Sequence, residues 1–290
     1  MTGLLSKEYA KQRAALITNK NILFTPGDPY PYEPRMPDGQ GTTNPYLDLL
    51  KKRQFLTDTS KTKDGNPIPL HDRTQTAFTS SFDDPEYIDR MWRGTTTVEA
   101  ADKEGWVVSI TPSGGWLPAC IAGNTGVGMS QRMQSFVLDP SINPFNVVEP
   151  GKRPRVTLTP TLALKDGKPF LSFAVQGGDT QDQNLLQFFL NMVEFGMTVQ
   201  QATEAANFNS NQLWLSLGGT KIDDRKPKMG DIWLANSTTD SVRTELKKMG
   251  YNMRFGNRTS GPINAIYFDW KHGSLWGGSS NNGEDYGIGW

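Results

Sequence analysis

A threonine hydroxyl is a weak nucleophile until a base takes its proton. In Arg93-Gly94-Thr95-Thr96-Thr97, three threonines follow a glycine and open a segment of strand-forming residues. One base for such a threonine needs no second side chain: its own α-amino group, released when the preceding peptide bond is cut. With a reference pKa of roughly 7.7–8.0, a useful fraction of that amine is neutral at neutral pH. It then accepts the hydroxyl proton directly or through a water. A glycine before the threonine allows the strained backbone in which the hydroxyl attacks its own preceding carbonyl. The pattern also has a bland counterpart, because β-branched residues are common at strand edges.

A second feature is Val175-Gln176-Gly177-Gly178-Asp179, between a strand pattern and a helix pattern. Consecutive glycines there expose backbone N–H groups near a helix N-terminus, which suits an oxyanion. The plain alternative is a tight turn. Histidine chemistry has little material: His71 and His272 both sit in polar loop or turn sequence, without the spacing that puts two imidazoles on one helix face. The single cysteine, Cys120, rules out an intramolecular disulfide framework and a multi-cysteine metal site, and its apolar neighbours mark a buried small side chain. No metal or cofactor is called for.

The elements that must position these residues are legible in outline. Lys plus Arg and Asp plus Glu balance at 30 each, so no net basic field is available to hold nucleic acid or an anionic membrane. No apolar run approaches the roughly 18 residues that span a bilayer. The first nine residues meet charge before any apolar stretch, so they are not expected to act as a secretory signal. A helix is expected over 4–18 with Ser6 as N-cap. From Thr25 to about Asp84 the chain reads as a long irregular connection with a short helix near 45–53. Strands are expected over 95–101 and 106–111 around the turn Asp102-Lys103-Glu104-Gly105, and over 155–164 and 169–175 around Lys165-Asp166-Gly167-Lys168. Helices follow over 181–195, 199–206 and 237–249, with strands over 231–235 and 263–269. Paired strands followed by paired helices predict an α+β sandwich rather than alternating parallel βαβ units.

Read together, these segments resemble the small subunit of the gamma-glutamyltransferases, a family of Ntn-hydrolases. The likeness rests on Thr95-Thr96, Asp102, Val108-Ser109-Ile110-Thr111, Pro150-Gly151-Lys152-Arg153-Pro154, Thr159-Pro160-Thr161, the Lys165–Lys168 turn, Gly177-Gly178 and Asn191 to Met197. Upstream, Leu5 to Arg13 is similar to the helix near the end of the family's large subunit. The resemblance implies a four-layer αββα sandwich, incomplete in this chain. It divides the chain into 1–94, the closing helix and linker of the large-subunit region, and 95–290, the small-subunit-like catalytic region. It also implies autocleavage between Gly94 and Thr95, Thr95 as nucleophile, Ser113 as the hydroxyl that holds its amine, and Gly177 and Gly178 as the oxyanion hole. The product class would be acyl transfer to water or an amine through a Thr ester.

Departures from the family pattern fall in the substrate pocket. Ser135 stands where the family has an Asp for the glutamyl α-amino group, Val156 and Thr157 where it has paired serines, and Gly115 where it has an Asn. Losing a charge-assisted hydrogen bond costs roughly 1.5–3 kcal/mol. The resemblance therefore leaves two catalytic readings, gamma-glutamyl transfer or hydrolysis and an acylase of altered specificity of the glutaryl or cephalosporin type. A non-catalytic fragment or binding protein on the same fold is the alternative. Expected partners are a small acyl-amide substrate and a large-subunit segment or chain. The compartment is open: periplasmic or extracellular if the full precursor carries a signal peptide, cytoplasmic otherwise.

Overall fold

A hairpin, a four-stranded sheet and two helices stack in that order in the computed structural model, which describes residues 3–22, 94–113, 121–130, 132–138, 146–213, 227–281 and 285–289. Near the N-terminus, α1 (Lys7–Ala14) begins where expected, and Ser6 Oγ accepts from the Tyr9 N–H at 3.1 Å. The expected helix near 45–53, His71 and Cys120 lie outside the described residues.

The hairpin consists of β1 (Val98–Ala101) and β2 (Val107–Ile110), with Val98 opposite Ile110 and Ala101 opposite Val107. Its turn closes because Asp102 Oδ1 accepts from the Glu104 and Trp106 N–H groups at 2.9 and 3.0 Å. A second hairpin joins β3 (Thr161–Lys165) to β4 (Lys168–Val175). Its two-residue loop has φ of 53° at Asp166 and 76° at Gly167, the backbone that an Asp-Gly pair adopts most readily.

Strand β4 then pairs with β8 (Ile263–Asp269), and β8 with β9 (Ser274–Ser279), giving the antiparallel order β3-β4-β8-β9. Alternation along β4 sorts the two faces. Leu171, Phe173 and Val175, with Ile263 and Ala265 from β8, pack against Leu185 and Phe188 of α2 (Gln181–Val193) and Val199 and Ala202 of α3 (Val199–Glu204). The Phe173 and Phe188 rings lie 5.1 Å apart in this core, and truncating either to Ala would cost about 3–5 kcal/mol. Ser172 and Asn264 point the other way, to β1–β2: Ser172 Oγ donates to Glu99, and Asn264 Nδ2 donates to Thr97 Oγ1 at 2.8 Å. Helices, sheet and hairpin thus form three successive layers, αββ. On the hairpin's outer face Val98, Val108 and Ile110 remain about half exposed.

A third sheet has the order β5-β6-β7, from Phe208–Ser210, Asp231–Ala235 and Asn252–Gly256. Here the α+β fold includes one parallel strand pair. β6 and β7 are parallel, joined through α4 (Asp240–Lys248), so one βαβ unit is present. The short strands β5, β7 and β9 have no clear alternation in sequence; Arg254 of β7 holds its place by gripping Asp231 of β6 at 2.8 Å. Residues 155–160, expected to extend β3, lie outside any strand. Several of their polar groups serve the site described next. Among the described residues no helix is long and apolar enough to cross a membrane.

Candidate active site

Thr95 and Ser113 continue the β1–β2 ladder beyond its regular part as an isolated antiparallel bridge. The flanking bond, Thr96 N–H to Pro112 O at 3.1 Å, makes Thr95 and Ser113 a pair without mutual backbone bonds. In such pairs the side chains approach most closely. Thr95 Oγ1 accordingly donates to Ser113 Oγ at 3.0 Å. Immediately before it, Gly94 has φ of 80°, a region that a residue with a Cβ enters only with strain.

Ser113 Oγ also accepts from Arg132 Nη2 at 2.8 Å. Arg132 opens a short 3-10 turn, Arg132–Ser135, and only 6% of its surface is exposed. Its Nη1 reaches Thr157 Oγ1 at 3.5 Å, while its Nε has no partner among the described residues. Burial pulls the guanidinium pKa down, and the charge of Asp179 pushes it back up. Asp179 also pairs with Arg155 Nη2 at 3.6 Å. Asp179 thus brings a negative charge from the glycine loop within electrostatic reach of Arg132.

That loop is buried, with φ of 141° at Gly177 and 55° at Gly178, two consecutive angles that only glycine adopts without strain. Thr180 fastens it, donating from N–H and Oγ1 to Gly177 O at 3.0 and 2.9 Å. Directly behind, α2 begins at Gln181. Such a turn presents N–H groups and a helix N-terminus together, the chemistry of an anion cradle.

The remaining sequence candidates are placed as follows. Ser135 Oγ lies 2.9 Å from Arg132 O and 2.7 Å from Arg155 O and shares its one proton between them, so this hydroxyl braces the backbone. Thr157 touches Arg132 and thus joins the cluster. Val156 is half exposed and apolar. Gly115 lies outside the described residues. His272 sits in an exposed turn against Asp269, at 2.6 Å, away from these residues in sequence and element.

Two residues that sequence reading passed over also matter. Arg132 is one; its only signal was its position three residues before Ser135. The other is Glu99, on the inward face of β1. Burial raises its carboxyl to about 7, against the opposing hydrogen bonds donated by Ser172 and Ser109. An inward-pointing acid in a four-residue strand of otherwise apolar residues was the available sign.

Comparison with known proteins shows the family of the chain. The family model described as Gamma-glutamyltranspeptidase matches residues 48–290. The chain is 28% identical over 254 residues to a glutathione hydrolase proenzyme of Bacillus subtilis (strain 168), covering 83% of this chain and 39% of that protein. It spans well under half the length of the curated relatives it matches. Among solved structures, gamma-glutamyltranspeptidase from Pseudomonas nitroreducens, complexed with L-DON, superposes with a TM-score of 0.54 at 23% identity, over 67% of this chain and 98% of that one. Cephalosporin acylase from Bacillus halodurans gives a TM-score of 0.62 at 21% identity, over 96% of this chain and 37% of the other. At those identities the two structures establish the Ntn-hydrolase fold alone. With the family model matched from residue 48 to the last residue, this chain belongs to the gamma-glutamyltranspeptidase family.

Proposed function

We propose that residues 95–290 form the catalytic region of an N-terminal-threonine amidohydrolase or acyltransferase, released from residues 1–94 by cleavage between Gly94 and Thr95. The observation that carries this reading is the Thr95–Ser113 hydrogen bond of 3.0 Å beside a left-handed Gly94. In the precursor, Thr95 Oγ1 adds to the Gly94 carbonyl carbon and the C–N bond breaks. The resulting ester is hydrolysed by water, leaving a Gly94 carboxylate and a free Thr95 amine. The description of the Bacillus subtilis relative as a proenzyme supports such processing.

In turnover, the Thr95 amine takes the hydroxyl proton as Oγ1 attacks the acyl-amide carbonyl. The Gly177 and Gly178 N–H groups receive the oxyanion. The amine then gives its proton to the departing nitrogen, and an acyl-Thr95 ester remains. Water or an acceptor amine resolves it. The acyl group is gamma-glutamyl or a related one. Ser135, occupied with two backbone carbonyls, and Val156, without a polar atom, favour the second reading of an acylase with altered specificity.

Because the chain covers 39% of its Bacillus subtilis relative, a large-subunit-type polypeptide is the proposed partner. Substituting Thr95→Ala in the co-expressed complex tests the assignment. Both cleavage and turnover are expected to disappear, while Thr96→Ala keeps both. Loss in Thr96→Ala alone would move the nucleophile by one residue.

A further inference from the structure

The reading of Thr95 as nucleophile leaves unassigned the buried cation that touches its hydrogen-bond partner. We propose that Arg132 is a positioning residue for the nucleophile: it fixes the Ser113 hydroxyl, and its charge keeps the Thr95 α-amine unprotonated at lower pH than an ordinary α-amine. This inference rests on that reading of Thr95.

The geometry supplies both parts. Ser113 Oγ accepts at once from Arg132 Nη2, at 2.8 Å, and from Thr95 Oγ1, at 3.0 Å. The amine and Oγ1 belong to the same residue, so the guanidinium stands one bridging hydroxyl away from the residue that carries the base. Arg132 is nearly fully buried, which limits screening of its charge by solvent. A guanidinium stays charged through any working pH, so its field on the amine is constant. A like charge at this range disfavours the ammonium form, by about one pH unit at an effective dielectric near 20.

Among the described residues, the other charges near this end of the hairpin do not cancel the effect. Asp179, from the glycine loop, interacts with Arg132 and also pairs with Arg155 at 3.6 Å, so the three together retain one positive charge. On β1, Glu99 points to Ser109 and Ser172, four residues beyond Thr95 along an extended strand, or about 13 Å away. Its carboxyl, held up to about 7 by burial, is about half ionised at the amine's expected midpoint and largely neutral at pH 6. Asp285 accepts from Asn264 Nδ2, which also donates to Thr97, and the charge of Arg258 acts on it.

The test compares the cleaved complex of the full chain with Arg132→Lys and Arg132→Gln, the latter keeping a donor for Ser113 without the charge. Two quantities are read: the pH midpoint for reductive dimethylation of the Thr95 amine, by mass spectrometry, and the acid limb of kcat/KM on a chromogenic acyl anilide. In the parent the amine midpoint is expected about one unit below the ordinary roughly 7.7–8.0. Arg132→Lys should stay within a few tenths of it, and Arg132→Gln should rise by about one unit, with kcat/KM falling about tenfold at pH 6 and recovering at pH 9. An unchanged midpoint and acid limb in Arg132→Gln overturn the proposal. If Arg132→Gln fails to fold, a parent midpoint at or above the ordinary value overturns it alone. The same spectra show whether a chain beginning at Thr95 exists; its absence refutes the Thr95 reading and this proposal together, whereas a cleaved chain with an ordinary amine refutes only this one.

Discussion

Thr95 and Ser113, 18 residues apart, face each other across the open end of the β1–β2 hairpin with their hydroxyl oxygens 3.0 Å apart. On the proposed reading of Thr95 as nucleophile, the pairing holds the threonine side chain in place before substrate arrives, the preorganisation an attacking oxygen requires. Ser113→Ala removes that acceptor and also strips buried Arg132 of a partner. We expect kcat/KM to drop about tenfold or more and Ser113→Thr to restore most of it. Full activity in Ser113→Ala would show that the contact is incidental.

Glu99 gives a pH-dependent prediction. Its folded carboxyl titrates at about 7, above its ordinary 4.5, because burial opposes the charged form. The unfolded chain therefore gives up this proton more readily. The contribution of Glu99 to stability is complete below pH 4.5 and is lost as pH rises through about 7. Thermal melts of Glu99→Gln should match the parent near pH 5 and exceed it at pH 8. A mutant less stable than the parent at pH 8 would mean that the ionised carboxylate is held by more than Ser109 and Ser172.

The proposed substrate-contact positions predict a preference among acyl donors. With Ser135 committed to Arg132 O and Arg155 O, and Val156 apolar, gamma-glutamyl anilide should be used more weakly than glutaryl or simple aliphatic acyl amides. A chromogenic amide panel decides this. A tenfold or greater preference for gamma-glutamyl would require another anchor for the amino-acid head.

The exposed hairpin face predicts behaviour in solution. Val98, Val108 and Ile110 form an apolar face on the hairpin, each about half exposed. Residues 1–290 expressed alone are expected to self-associate and to show little turnover, and a large-subunit partner should restore both solubility and activity. Light scattering with an activity assay reads the outcome. A monodisperse, cleaved and active monomer would contradict it.

The parts legible in the sequence are those set by local chemistry. Asp102 and the Asp166-Gly167 pair announce their hairpins because short side chains and positive φ determine the turn. Strands β4, β6 and β8 are apolar enough to read directly, and their bounds match closely. By contrast β7 is specified by Arg254 meeting Asp231 across the sheet, a relation between segments that no local window contains. Arg132 escaped notice for the same reason, since only the fold brings it to Ser113 and Asp179. Thr95 and Gly177-Gly178 stand out in the sequence as candidates through their motifs, and the fold adds Ser113 and Arg132 beside Thr95, with the charge of Asp179 acting on Arg132.

The central claim is that the Gly94–Thr95 bond is broken by Thr95 itself. N-terminal sequencing and intact-mass measurement of the purified active protein test it directly. The expected result is a chain beginning at Thr95 beside a fragment ending at Gly94, both missing in Thr95→Ala. An uncut chain that still turns over substrate would contradict the account.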